Sequence, residues 1–106
     1  VLLYSVASAE LEVVLIEAFE TGVGIGTLLL TAARAEAVLR RCRRLWLVTT
    51  NDNRPAIEFY RRRGLRIAAV RRGAMAESRR LKPSIPLLGV GGVPIEDEIE
   101  MEIAIG

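Results

Sequence analysis

Gly22, Gly24 and Gly26 alternate with Val23 and Ile25 immediately before a long apolar stretch. A glycine loop that opens a helix is either an anion site or a plain tight turn. The first-turn N–H groups have no partner within the helix, its dipole adds about half a positive charge, and the missing Cβ atoms let a phosphate approach the backbone. A dinucleotide fingerprint would need glycine at position 27 or 29, where Thr27 and Leu29 stand. A Walker loop needs Gly-Lys-Ser/Thr, and Lys82 is the only lysine. The other residues able to do chemistry are few: Tyr60, Asn53, the carboxylates Glu12 and Glu17, and a lone Cys42. With no histidine, the chain has no Ser-His-Asp triad, Cys-His pair, HExxH site or imidazole switch. One cysteine can form neither an internal disulfide nor a CxxC metal site, so a reducing, cytoplasmic setting and no metal are expected.

The charges are unevenly distributed. All fifteen cations lie between Arg34 and Lys82, among only Glu36, Asp52, Glu58 and Glu77, so that segment carries a formal +11 and the remainder −9. The asymmetry suggests a polyanionic ligand, a nucleotide phosphate or a nucleic acid, or else solvated helix faces. Five aromatic residues, with Trp46 expected in a buried strand, are too few for single-strand stacking platforms, so nucleic acid is disfavoured. No apolar run approaches the ~18 residues of a membrane span, and no basic signal-peptide region opens the chain.

These residues must be positioned by a single domain over 1–106, as 106 residues support one core. Val1–Val6 and Leu11–Ala18 read as strands of an antiparallel hairpin around Ala7, Ser8 and Ala9. Leu28–Arg41 reads as a helix whose apolar face is Ile25, Leu28, Ala32, Ala35, Leu39 and Cys42, with Arg34 and Arg41 turned away and Glu36 spaced to pair with Arg40. Leu45–Thr50 reads as a strand covered on both faces. Asn51-Asp52-Asn53 offers N-caps for a second helix, with Pro55 in its first turn and Gly64 at its C′ position. Leu65–Val70 is another strand, and Ile99–Ile105 alternates as a final half-exposed one. Between them, 71–98 reads as a long loop, a functional cover or a disordered segment, holding Pro83, Pro86, Pro94, Gly89, Gly91 and Gly92. The order is ββαβαββ, an α/β or α+β class.

Two segments resemble a known family. Thr21-Gly22-Val23-Gly24-Ile25-Gly26-Thr27 resembles the Arg/Gln-x-x-Gly-x-Gly/Ala pyrophosphate loop of the GNAT N-acetyltransferases. Asn53-Arg54-Pro55-Ala56-Ile57-Glu58-Phe59-Tyr60-Arg61-Arg62-Arg63-Gly64-Leu65 resembles that family's N-x-x-A-x-x-F-Y-x-x-x-G-F segment. The resemblance covers about residues 1–70, with an acetyl-CoA-binding core over 11–65. It implies a mixed, mostly antiparallel sheet flanked by helices. It also implies that acetyl-CoA donates its acetyl group to a primary amine of a small molecule or protein. A strand splayed near Leu15 and Ile16 would pair with the pantetheine amides, and one of its backbone N–H groups would polarise the thioester carbonyl. The amides of Gly22, Val23, Gly24, Ile25, Gly26 and Thr27 would hold the pyrophosphate. Asn53 would bond the pantetheine arm and Tyr60 would protonate the departing thiolate, with Glu17 or a water relay taking the proton of the amine. Arg61-Arg62-Arg63 is a solvated helix end or a contact for the ribose 3′-phosphate. Cys42 is packing, not a nucleophile. Asp97, Glu98 and Glu100 would attract a cationic amine if the loop folds over the site.

The sequence also departs from the family. Thr21 stands where the family has Arg or Gln, and Leu65 where it commonly has Phe. The strand and helices with which family domains usually begin have no counterpart here. The chain is therefore a fragment, an incompletely determined sequence, or a minimal version whose partner subunit completes the acceptor site. The competing reading is a coenzyme-A-binding fragment or sensor without turnover. An uncharged apolar strand at Val1–Val6 is an unprotected edge, so a homodimer paired edge to edge is expected.

Overall fold

The computed structural model describes residues 2–16 and 25–105. Its elements are β1 (Leu2–Ala7), β2 (Glu10–Ile16), α1 (Ile25–Leu39), β3 (Arg44–Thr50), α2 (Arg54–Arg62), β4 (Arg66–Arg71), α3 (Ala74–Leu81), a 3-10 turn (Val90–Gly92) and β5 (Glu98–Ala104). The five strands form a mixed, mostly antiparallel sheet in the order β1-β2-β3-β5-β4. The expectation of one domain meets a division of the packing into two compact units. The first comprises 1–47 with 102–106, and the second 48–101.

In the first unit, β1 and β2 form the expected hairpin, closed by the two residues Ser8 and Ala9 at φ 52° and 59°. Positive φ at both central positions is the type I′ geometry whose twist matches that of the flanking strands. β2 and β3 run parallel, so their connection must cross over, and α1 makes that crossing. The buried face of α1 is Leu30, Ala33 and Ala37, packed into a core that includes Leu11, Val13, Leu45 and Leu47. This overturns the predicted face: Leu28 is 68% and Leu39 76% exposed, and Ala32 and Ala35 are exposed as well. The helix is apolar around most of its circumference, so periodicity alone does not select a side. β3 also differs from expectation. Leu45 and Leu47 are buried while Val48 is exposed, the alternation of a strand with one well-covered face. Trp46 is half-buried beneath the Arg44 guanidinium at 5.1 Å, and Cys42 is buried as expected.

In the second unit, Leu65, Met75, Ile99 and Met101 form the apolar core. The segment 71–98 is not the structureless loop that its prolines and glycines predict. It contains α3, anchored by Met75, and the 3-10 turn at Val90–Gly92. Arg79 of α3 ties the remainder down, its Nη2 donating to the carbonyls of Pro86 at 3.0 Å and Ile95 at 2.5 Å. β5 is not cleanly alternating, because Glu100 is buried between Ile99 and Met101. Its carboxylate pairs with Arg71, which also reaches Glu98 at 3.6 Å.

The end of α1 has a defined geometry. Arg41 N–H donates to Val38 C=O at 3.0 Å and Cys42 N–H to Ala37 C=O at 2.9 Å, the paired bonds of a Schellman motif. The residue that must turn left-handed there is Arg41, at φ 56°. Its Cβ costs about 1–2 kcal/mol in that conformation. Arg41→Gly should therefore raise stability by about 0.5–1 kcal/mol once the added freedom of the unfolded chain is subtracted. Urea unfolding of the two chains checks this, and an unchanged midpoint would contradict it.

Candidate functional site

In the first unit the informative element is β2. It pairs with β1 along its length, but its parallel register with β3 covers only Glu10–Glu12 against Arg44–Trp46. The β1 pairing skips a residue, for Leu3 faces Leu15 while Tyr4 faces Val13. Val14 is therefore the extra residue of a β-bulge, a device that bends a strand and re-aims the residues beyond it. Leu15 and Ile16 lie beyond the bulge and beyond the parallel pairing, where the splay is expected. Their backbone N–H and C=O groups are the ones a ligand with amides of its own could pair with. Gly26 and Thr27 fall in the first turn of α1, which begins at Ile25 and carries no acid to oppose an anion. Thr21, Gly22, Val23, Gly24 and Glu17 lie outside the described residues.

In the second unit α2 carries the side chains. Asn53 caps it, its side-chain oxygen accepting from Ala56 N–H at 3.4 Å. That bond is longer than the usual 2.7–3.2 Å range, and the amide nitrogen of Asn53 has no partner among the described residues. Asn53, Ala56 and Tyr60 stand at i, i+3 and i+7, hence on one face of the helix. Tyr60 is half-buried, packed edge-to-face on Phe59 with centroids 5.4 Å apart. Burial pushes its phenol above the ordinary tyrosine value, so it is protonated at neutral pH and able to donate. Gly64, at φ 94°, ends the helix as predicted, with Leu65 N–H bonded to Tyr60 C=O at 3.1 Å.

The arginines after Tyr60 do not act as a block. Arg62 pairs with Glu58 at 3.3 Å, and Arg63 lies 3.7 Å over the Phe59 ring. The acids expected to draw a cationic amine are engaged within the unit. Glu98 and Glu100 face Arg71, and Asp97 accepts from Gly73 N–H at 2.9 Å.

Asn51 and Asp52, which the sequence offers only as cap candidates, hold distant backbone instead. Asn51 donates its side-chain amide to Pro94 C=O at 2.9 Å and accepts from the N–H groups of Glu96 and Asp97 at 2.9 and 3.0 Å. Asp52 is buried and accepts from the Thr50 hydroxyl at 2.5 Å and from Val90 N–H at 3.0 Å. Apart from Thr50, their partners lie roughly forty residues away, so no local pattern announces them. The turn before Val90 has to be glycine, because a Cβ on Gly89 would lie 2.0 Å from the Asp52 carboxylate.

Residues 3–65 match the family model described as acetyltransferase (GNAT) family. The chain belongs to the GNAT acetyltransferase family. Similar curated proteins of Bacillus subtilis strain 168 include the uncharacterized proteins YdhI and YxbD. YdhI is 41% identical over 96 residues, covering 91% of this chain and 60% of its own length. YxbD is 38% identical over 88 residues, covering 83% and 55%. The chain thus spans somewhat over half the length of these relatives. Among solved structures, the IAA acetyltransferase from Bacillus cereus ATCC 14579 superimposes with a TM-score of 0.81 at 22% identity, covering 98% of this chain and 67% of that one. A GNAT family acetyltransferase from Elizabethkingia anophelis with acetyl-CoA bound gives 0.79 at 20% identity, covering 91% and 61%. At those identities the likeness is one of fold. Among the described residues, no helix of this GNAT chain is long and apolar enough to cross a membrane.

The Asp52 clamp makes stability depend on pH. Burial alone would push its carboxyl up, but the bonds from Thr50 and from the Val90 N–H outweigh it, and the net shift is downward. A lowered folded value means that the unfolded chain binds the proton more tightly. The contribution of Asp52 is complete above the ordinary aspartate range near 3.9 and is lost as pH falls through the folded value. Asp52→Asn should destabilise the chain at pH 7 and flatten the acid limb of its stability curve. Thermal melts at stepped pH test this, and a variant with an unchanged acid limb would contradict it.

Proposed function

We propose that this chain carries the acetyl-CoA-binding and catalytic part of an N-acetyltransferase whose acceptor is a primary amine of a small molecule or protein. The observation that carries the reading is the departure of β2 from β3 beyond Glu12, with the Val14 bulge beside it. A strand interior is normally paired on both sides; the parallel pairing of β2 within the first unit ends at Glu12, so the backbone of Leu15 and Ile16 suits a ligand able to pair with it. The pantetheine arm of acetyl-CoA has two amides suited to that task. The first turn of α1, free of acids, suits the pyrophosphate, with the amides of Gly22–Thr27 as its donors. On α2, the unpartnered amide nitrogen of Asn53 suits the pantetheine arm, and the raised phenol of Tyr60 suits proton donation.

In the reaction the acceptor nitrogen bonds to the thioester carbonyl carbon and the carbon–sulfur bond breaks. The proton of the amine passes to water or to Glu17. Tyr60 gives its proton to the departing thiolate and recovers one from solvent. A phenol and a thiol are close enough in basicity for that transfer. A backbone N–H of the splayed strand stabilises the charge that develops on the carbonyl oxygen.

A second reading is binding of coenzyme A without turnover, which fits Thr21 standing in place of the family's Arg or Gln. One set of measurements separates the two. Acetyl-CoA at a hundred times its dissociation constant should stabilise the fold by about 2.7 kcal/mol, and Gly24→Val should remove the shift. Tyr60→Phe keeps the packed ring, so it should retain the thermal shift while lowering turnover by about 10²–10⁴. A thermal shift with no acetylation of any amine would favour the binding-only reading, and no shift at all would defeat both.

A further inference from the structure

Beside the stripe of α2 that carries Asn53, Ala56 and Tyr60 lies a second one formed by Arg54, Ile57, Glu58 and Arg61, spaced three, four and seven residues apart. It borders a cavity of about 590 Å³ whose apolar lining is Pro55, Ile57 and Ile99 and whose cationic lining is Arg54 and Arg61. Asn51 completes the wall, and its amide is already fixed by Pro94, Glu96 and Asp97, so that side is rigid.

The two arginines differ from their neighbours. Arg62, Arg63, Arg71, Arg79 and Arg80 are each engaged with a carboxylate, a carbonyl or a ring. The guanidinium groups of Arg54 and Arg61 have no ion pair or hydrogen bond among the described residues. The single carboxylate at the cavity, Glu58, is paired with Arg62. Arg54 also opens α2, where the helix dipole adds positive charge to positive charge, and an anion placed there would relieve both. Seven helical residues place the Cα atoms of Arg54 and Arg61 about 10.5 Å apart along the helix, with Ile57 between them. Charged ends and an apolar middle define the ligand that would match.

We propose that this cavity binds a linear aliphatic dicarboxylate such as suberate, its two charged ends matched to the two arginines and its methylenes to the apolar wall between them. One carboxylate would lie on Arg54, the other on Arg61, and the methylenes over Ile57 and Ile99. The site lies on the stripe of α2 next to the one that carries Tyr60 and uses none of the residues assigned to acetyl transfer, so its failure and the failure of that reading are distinguishable.

The test is calorimetric titration of the 106-residue chain with suberate. Saturable millimolar binding is expected, with acetate and uncharged octanediol each failing to compete. Charge-assisted hydrogen bonds of this kind imply about a tenfold loss of affinity for Arg54→Gln or Arg61→Gln, and loss of binding when both are changed. Circular dichroism of the variants establishes that they are folded. Acetyl-CoA in the cell should leave suberate affinity unchanged. Suberate that never saturates, a folded double variant that binds as tightly as the parent, or competition by acetyl-CoA, which would assign the arginines to its phosphates, would each overturn the proposal.

Discussion

A carboxylate held out of water must be surrounded by donors, and Asp52 imposes that requirement at the end of β3. An unpartnered buried charge would cost several kcal/mol, so the Thr50 hydroxyl and the Val90 N–H are drawn to it. Those bonds bring the backbone at Gly89 so close that no side chain fits there. On one side of Asp52, Asn51 holds the chain at Pro94–Asp97; on the other, Asn53 starts α2. Three consecutive residues thus secure a distant segment and set the first turn of the helix that carries Tyr60. Loss of the clamp would release the segment and loosen the start of α2 together.

The uneven charge of the sequence acquires a different meaning once the pairs are known. Arg44 lies between Glu10 at 3.2 Å and Glu102 at 2.6 Å, and Arg71 faces Glu98 and Glu100. In each case a cation from the basic middle of the chain meets acids from its acidic flanks. Part of the apparent attraction for an external polyanion is therefore satisfied inside the fold. Exposed pairs such as Arg80 with Glu77 contribute little to stability. The Arg71–Glu100 pair matters more, because Glu100 is buried and would be left uncompensated without its partner. What remains for a ligand is the smaller set of cations without such partners, and Arg54 and Arg61 belong to it.

The features legible in the sequence are those that depend on neighbouring residues. The cap at Asn53, the stop at Gly64, the Glu36–Arg40 pair and the β1–β2 hairpin are local events, and each is where the residue types place it. The buried face of α1 is not legible, because Leu28, Leu29 and Leu30 are consecutive and Ala or Val recurs on every side, so burial is decided by the strands beneath. Helix α3 escapes a reading by periodicity because Met75 is its only buried residue, and one anchor makes no pattern. The bulge at Val14 sits in an unbroken apolar run, with no glycine to announce it. As for the candidate site, the cap at Asn53 and the place of Tyr60 on the same face of α2 are legible in the motif's spacing, whereas the clamp at Asn51 and Asp52 rests on contacts that only folding creates.

The proposed site uses two kinds of recognition, and they respond differently to substitution. Along β2 and at the start of α1 the donors and acceptors are main-chain groups, which every residue except proline supplies in full. Such a surface is disturbed by a Cβ in the wrong place or by a lost bulge, and it tolerates most changes of side chain. On α2 the donors are single atoms of Asn53 and Tyr60, and removing one leaves nothing in its place. This difference makes a departure such as Thr21 compatible with the reading: it takes away one side-chain donor and no main-chain N–H.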